Sequence, residues 1–346
     1  MEPAQQAIME CKNCGRLYYN TEDFLAHTSR WRVCSEGNLW FNCACESTNV
    51  IRKGKHPWFK PFDQLSPAAK SIFNQIPSLS ELPRLPMSFM QLQALIDNEN
   101  ASSHDLAAAA KQDPILSARI LRIAENQTLL THGKLSSLSH AISIIGRHHL
   151  KEIILIAAIH SIETKTRVFS TDVFWDHSLT IGRIAEHLAK HFKPLFVEDE
   201  AYITGCVCNL GKLVLALCRP DIVDRFQREV NEIHTLGPWT EAEARYAGYQ
   251  HTVIGEIGAA LWGLSEASTE VIHNHHSVDE SPKAGEPKLY ELIALANQFS
   301  HWIWLQPHQM DRELFHKLLH RFHLNHKDAE ALAEAMMPLA AQERAV

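Results

Sequence analysis

From residue 85 almost to the C-terminus, apolar residues recur three and four positions apart, and that spacing confines most of the chain to packed helices. Asp113-Pro114 reads as an N-cap followed by a first-turn proline, after which Leu116, Ile120, Ile123 and Ala124 fall on one helical face. Segments with the same period follow at residues 141–161, 175–191, 199–217, 253–261 and 267–276. Few runs alternate with period two, and glycine and proline mark boundaries rather than interrupt the stripes. The body is therefore expected to be all-α, a multi-helix bundle.

Residues 1–60 obey no such rule. They hold five of the eight cysteines and several aromatics but no helical apolar stripe. Cys11-Lys-Asn-Cys14 has the spacing of a zinc knuckle, in which two thiolates of a tight turn face one ion. Cys43-Ala-Cys45 forms a second pair, and two knuckles on separate hairpins supply the four ligands that structural zinc requires. Cys34 and His27 are spare ligands, because a one-residue gap in the second pair is less usual than two. So small a segment with so little apolar periodicity depends on such an ion for its fold. A small zinc-ribbon-like head on Zn²⁺ is expected, with no catalytic metal elsewhere. In a reducing compartment a tight cysteine cluster is a metal site rather than a set of disulfides.

Charge narrows the partners. The chain carries a net −7. Residues 1–60 hold eight basic against six acidic side chains, a +2 that four zinc-bound thiolates cancel, and the remainder stands at −9. Arg52, Lys53, Lys55 and Lys60 near Trp58 and Phe59 have the basic-aromatic pattern that grips single strands, yet this balance argues against nucleic acid as the partner. The start has no basic flank ahead of an apolar core, and the longest strongly apolar stretch is read at residues 153–159, too short to span a bilayer. The expectation is a cytoplasmic protein that touches no membrane.

Twenty-two histidines invite a search for a second metal centre. His177 follows Trp175-Asp176; Cys208-Asn209 precedes Gly211-Lys212; His251 follows Gln250; His275 and His276 end a helical segment; Asn297 follows Leu295-Ala296. With Leu82 to Pro86, Asp113-Pro114, Gly146, Gly205, Gly255 and Trp262-Gly263-Leu264, these marks run in order from residue 82 to 276. In order and spacing they resemble the HDOD domain, a relative of the HD phosphohydrolases. The resemblance implies an all-helical fold and a signalling role through a protein partner, without catalysis.

The departures from the enzymes are specific. An HD enzyme holds metal with a His-Asp doublet and a later Asp; here the doublet falls on Cys208-Asn209 and the later Asp on Asn297. A neutral amide can neither balance a hard dication nor bridge two of them. His177, His251 and His275 are read as satisfied polar residues of a packed bundle, with a soft-metal site of these three and Cys208 as the other reading. A metal-dependent phosphohydrolase acting on nucleotides or cyclic dinucleotides is the enzymatic alternative, and a nucleic-acid-binding regulator acting through the head is another. Lys212 is the phosphate partner if the degenerate pocket takes a nucleotide or second messenger, although lysines at such turns are ordinarily solvated. The expected organisation is a metal-binding head at 1–60, a linker at 61–80, the HDOD-like body at 81–280, and a helical extension at 281–346 that packs back on it.

Overall fold

The structure is a computed structural model that describes residues 9–18, 27–33, 39–51, 65–76, 98, 100–112, 137–160, 162–166, 169–225, 239–281, 285–303 and 310–341, with single positions between them. Cys34, residues 52–60 and the Asp113-Pro114 turn lie outside the described residues.

The head is two small antiparallel sheets. Strands β1 (Met9–Glu10) and β2 (Leu17–Tyr18) form a hairpin. Strands β3 (Thr28–Val33), β4 (Leu39–Cys43) and β5 (Thr48–Ile51) form a meander in which Trp40 faces Val50 and Asn42 faces Thr48. Among the described residues its apolar core is slight. Tyr18, Phe24 and Phe41 are fully buried and meet edge to face, with centroids 4.6 to 6.5 Å apart. Three rings are too small a core to hold some forty residues unaided.

The remainder is helical: α1 (Pro67–Gln75), α2 (Ser103–Ala110), α3 (Leu138–Ile145), α4 (Arg147–His160), α5 (Thr171–His191), α6 (Glu198–Val207) and α7 (Leu210–Cys218), then α8 (Trp239–Tyr246), α9 (His251–Trp262), α10 (Glu266–Asn274), α11 (Leu289–Ile303), α12 (Arg312–Arg321) and α13 (His326–Ala341). Local chemistry sets the starts. Ser66, Ser102, Ser137, Ser170, Ser265 and Asp311 each accept a hydrogen bond from the first turn, and Pro67 sits just inside α1. Two segments expected as single helices are each two. The 141–161 segment breaks at Gly146, whose φ of +77° ends α3. The 199–217 segment breaks at Cys208-Asn209.

Two apolar clusters fill the interior. One joins the head to α1–α4 and α7–α9, and the other joins α5 to α11–α13. Helix α11 is buried on nearly every side, and Trp302 at its end stacks on Phe299 and meets Phe315 edge-on. The longest apolar run is not 153–159. Residues Glu198–Cys218 are long and apolar enough to cross a membrane by length and composition, but 89% of that window is buried inside the fold.

Helix α1 packs on both α9 and β3, so it ties the head to the body. Its anchor is polar. The Ser66 N–H and hydroxyl donate to the two oxygens of Glu256 at 2.5 and 2.9 Å, and His273 lies 2.8 Å from the same carboxylate. Glu256 is 4% exposed, so its removal takes the acceptor from the partly buried Ser66 donors and from His273. Glu256→Ala should lower stability by about 2–3 kcal/mol, read as a shifted urea midpoint, whereas Glu256→Gln should recover part of the loss.

Candidate functional site

The head converges on sulfur. Cys11 and Cys14 lie in the turn after β1, Cys43 ends β4, and Cys45 sits in the β4–β5 turn. All four Sγ atoms lie within 4.8 Å of one another; Cys11 and Cys45 are 3.7 Å apart, and Cys14 and Cys43 are 3.6 Å apart. A tetrahedron of sulfurs each about 2.3 Å from zinc has edges of about 3.8 Å, so the spacing fits that ion. His27 is not in the group.

The turns are built to donate. Gly15 N–H bonds the Cys11 carbonyl and Glu46 N–H the Cys43 carbonyl, which closes both knuckles. Tyr18 Oη–H donates to Cys43 at 3.0 Å, Asn49 to Cys11 and Asn13 to Cys45, each at 3.6 Å, and the Ser47 hydroxyl lies 3.0 Å from Cys45 and 3.3 Å from Cys11. Such donors orient and charge-balance thiolate ligands. Burial pushes the Cys11 thiol up, but hydrogen bonds led by Ser47 outweigh it and bring it to about 5. Cys45, also bonded by Ser47, falls to about 7. The Arg16 backbone favours the Cys14 thiolate, yet its sulfur neighbours push it up to about 12. The four cannot ionise together without a cation.

The second centre lies where α5, α7, α9, α10 and α11 meet. Its two halves differ. In the first, Asn209 Nδ2 donates to Asn297 Oδ1 at 3.3 Å and approaches Cys208 Sγ at 3.5 Å. Ser300 Oγ–H donates to the Asn297 backbone carbonyl at 2.7 Å, so Ser300 Oγ must accept from His177 Nε2–H at 2.8 Å. His177 thus spends its ring nitrogen on a hydroxyl. Burial pushes the His177 pKa down and the Cys208 thiol up to about 12. Neutral imidazole, thiol and two amides give a hard dication no anionic ligand, so these residues do not fit the metal pair of an HD phosphohydrolase.

In the second half, His251 opens α9 and presents Nδ1 to both oxygens of Glu243 on α8, at 2.8 and 3.0 Å. Its backbone N–H donates to the same carboxylate at 2.8 Å. His275 caps α10 and holds its Nδ1 2.9 Å from the Ile272 carbonyl. His276 follows it, with ring centroids 4.2 Å apart. Burial is the leading cause that pushes all three pKa values down, so the rings are neutral at neutral pH.

Lys212 corrects its expectation. It is 9% exposed rather than solvated, its Nζ stands 5.0 Å from the Trp239 ring centroid, and burial pulls its pKa down. Glu243, Ser300 and Ser47 escaped the sequence reading. Nothing local marks Glu243 as the partner of a histidine eight residues on, whereas Ser300 lies one helical turn after Asn297 and could have been found that way.

The buried junction of five helices, with histidines on separate helices, is that of an HD-like helical bundle. The HDOD domain model matches residues 82–278, more than half of the chain, and the chain belongs to that family. A curated relative, an uncharacterised protein of Treponema pallidum (strain Nichols), is 24% identical over 238 residues, 68% of this chain; the chain spans only 44% of that relative's length. A solved protein from Shewanella amazonensis, named provisionally as a phosphohydrolase, superposes with a TM-score of 0.56 at 22% identity, over 80% of this chain and 98% of its own. A provisional signal transduction protein from Marinobacter aquaeolei VT8 gives 0.56 at 16% identity, over 89% and 75%. At these identities the two structures establish the fold.

Proposed function

We propose that this HDOD protein is a non-catalytic regulator that acts by binding a protein partner in a cytoplasmic signalling pathway, with a structural zinc ordering its head. One observation carries the reading: the positions that would bridge metals hold Asn209 and Asn297, neutral amides that bond to each other. Cys11, Cys14, Cys43 and Cys45 would hold the zinc, which supplies folding free energy to residues with little core of their own. The charge balance supports a protein partner. A head near neutrality beside a body at −9 gives a polyanion little to hold. The name of the Marinobacter protein points the same way.

The reading is tested by assaying the purified chain against nucleotides, phosphodiesters and cyclic dinucleotides with Mn²⁺, Mg²⁺ or Fe²⁺. No turnover above background is expected. Turnover that survives purification and vanishes in His177→Ala would overturn the reading and reinstate the phosphohydrolase.

A further inference from the structure

One margin of the head's meander is open. The strand order β3-β4-β5 puts β5 at an edge. Cys43 N–H donates to the Ser47 carbonyl, and the register continues as Asn42 with Thr48, Phe41 with Asn49, Trp40 with Val50 and Leu39 with Ile51. Hydrogen-bonded pairs alternate along an antiparallel ladder, so Asn49 and Ile51 turn their main-chain groups to β4, while Thr48 and Val50 turn theirs outward. Those outward N–H and C=O groups meet no strand among the described residues. The side chains alternate as well. Asn49 and Ile51 are buried on the face that carries Phe41, whereas Val50 and its cross-strand neighbour Trp40 stand 39% and 44% exposed on the other. The opposite margin is protected. Strand β3 contains Arg30 and Arg32, shifts register between Ser29 and Arg32, and is packed by α1. Charge, proline and bulges keep a sheet edge from pairing, and β5 has none of them; only its length of four residues limits it.

We propose that β5 is a self-association edge, on which a second copy of this chain lays its own β5 antiparallel and joins the two meanders into one sheet across a two-fold axis. The edge complements itself. With Asn49 of both copies on the axis, Thr48 of each copy meets Val50 of the other, and each of these two pairs exchanges a hydrogen bond in both directions. This register uses every outward group of Thr48 and Val50. The exposed faces join too: Val50 comes beside the other copy's Thr48 and diagonal to its Val50, within reach of apolar contact, with a Trp40 at either end. Charge admits a second copy. Residues Thr48–Ile51 carry none, and the zinc-loaded head is near neutrality, so two such edges meet without repulsion. The acidic bodies are attached at the far margin, where α1 packs on β3. The edge exists only in the folded head, so the proposal rests on the zinc reading in that respect. Its consequence is an assembly that presents two HDOD bodies together.

The test is mass in solution. Sedimentation velocity of the zinc-loaded full chain, run from about 1 to 100 µM, should show the mass rise from one chain toward two, as suits a small interface. Val50→Pro removes an outward N–H, which an edge strand spares without loss of its own ladder, and deletes two of the four bonds between copies. It should weaken dimerisation by about 10-fold or more. Thr48→Lys sets a charge on the same edge from an exposed position and should do likewise, which keeps the test open should the proline disturb the head. Hydrogen exchange reads the register: the Thr48 and Val50 N–H groups should exchange more slowly as concentration rises, while Asn49 N–H, already paired with β4, should not change. A zinc-loaded chain that stays monomeric throughout that range would overturn the proposal and leave the edge to an extended segment of the signalling partner. A dimer that both variants leave intact would also overturn it, because the contact would then lie elsewhere. Zinc content of the same samples shows separately whether the head is loaded, so failure of the zinc reading is told apart from failure of the edge.

Discussion

Stripping zinc from the head, by a strong chelator or by Cys11→Ser/Cys14→Ser, should unfold residues 9–51 and leave the helical body standing. The reason is the disproportion between the head's apolar content and its length. Tyr18, Phe24 and Phe41 are its large buried rings among the described residues, and the strands are two to six residues long. Structural zinc on four thiolates supplies an apparent binding free energy of about 10–16 kcal/mol, far more than three rings can. Without it, the four sulfurs cannot ionise together, and the two knuckles lose the ion that joins them. Helices α1–α13 supply most of the two apolar clusters, so the body keeps its core even where one cluster loses the head's rings. Helical circular dichroism should therefore persist while the near-ultraviolet signal of the head and the protease resistance of residues 9–51 disappear. Head resistance that is unchanged in a zinc-free chain would contradict the assignment.

Gly211→Ala should be the most damaging single methyl in the body. Gly211 lies in the first turn of α7, and a Cβ added there would overlap the His251 carbonyl oxygen and crowd the Gly255 backbone nitrogen. These are main-chain atoms of α9, so no side chain can swing aside. Overpacking commonly costs about 1–3 kcal/mol, and here the whole of α9 must shift, so a loss of about 3 kcal/mol or more is expected. The shift would also carry His251 away from Glu243, which is its partner through both Nδ1 and the backbone N–H. Thermal unfolding of the variant checks the loss. A melting temperature within a degree or two of the wild type would show that the α7–α9 contact is looser than the geometry states.

Much of this fold could be read from residue order. Helical periodicity placed the body, the Ser66-Pro67 cap placed α1, and cysteine spacing gathered four sulfurs that the fold brings together. The asparagines at 209 and 297 announced a changed centre because an amide cannot do a carboxylate's work. What stayed hidden was tertiary. Period alone could not reveal that Cys208-Asn209 breaks a continuous apolar run, since a buried helix and a buried break look alike in sequence. Lys212 was misread for the same reason. A lysine looks solvated until Trp239, from a helix 27 residues on, covers it. The Nδ1 partners of His251 and His275, Glu243 and the Ile272 carbonyl, are ones that no spacing rule names.

On the proposed reading, the carboxylate positions of the HD metal pair hold two bonded amides, Asn209 to the Asn297 side chain, while His177 is taken up by Ser300, which donates to the Asn297 backbone carbonyl. This reading is tested most directly by growing crystals in excess Mn²⁺ and recording anomalous scattering. The account predicts no manganese within bonding distance of Asn209 or Asn297, and an unbroken contact between their side chains. A manganese peak held between those two residues would contradict it.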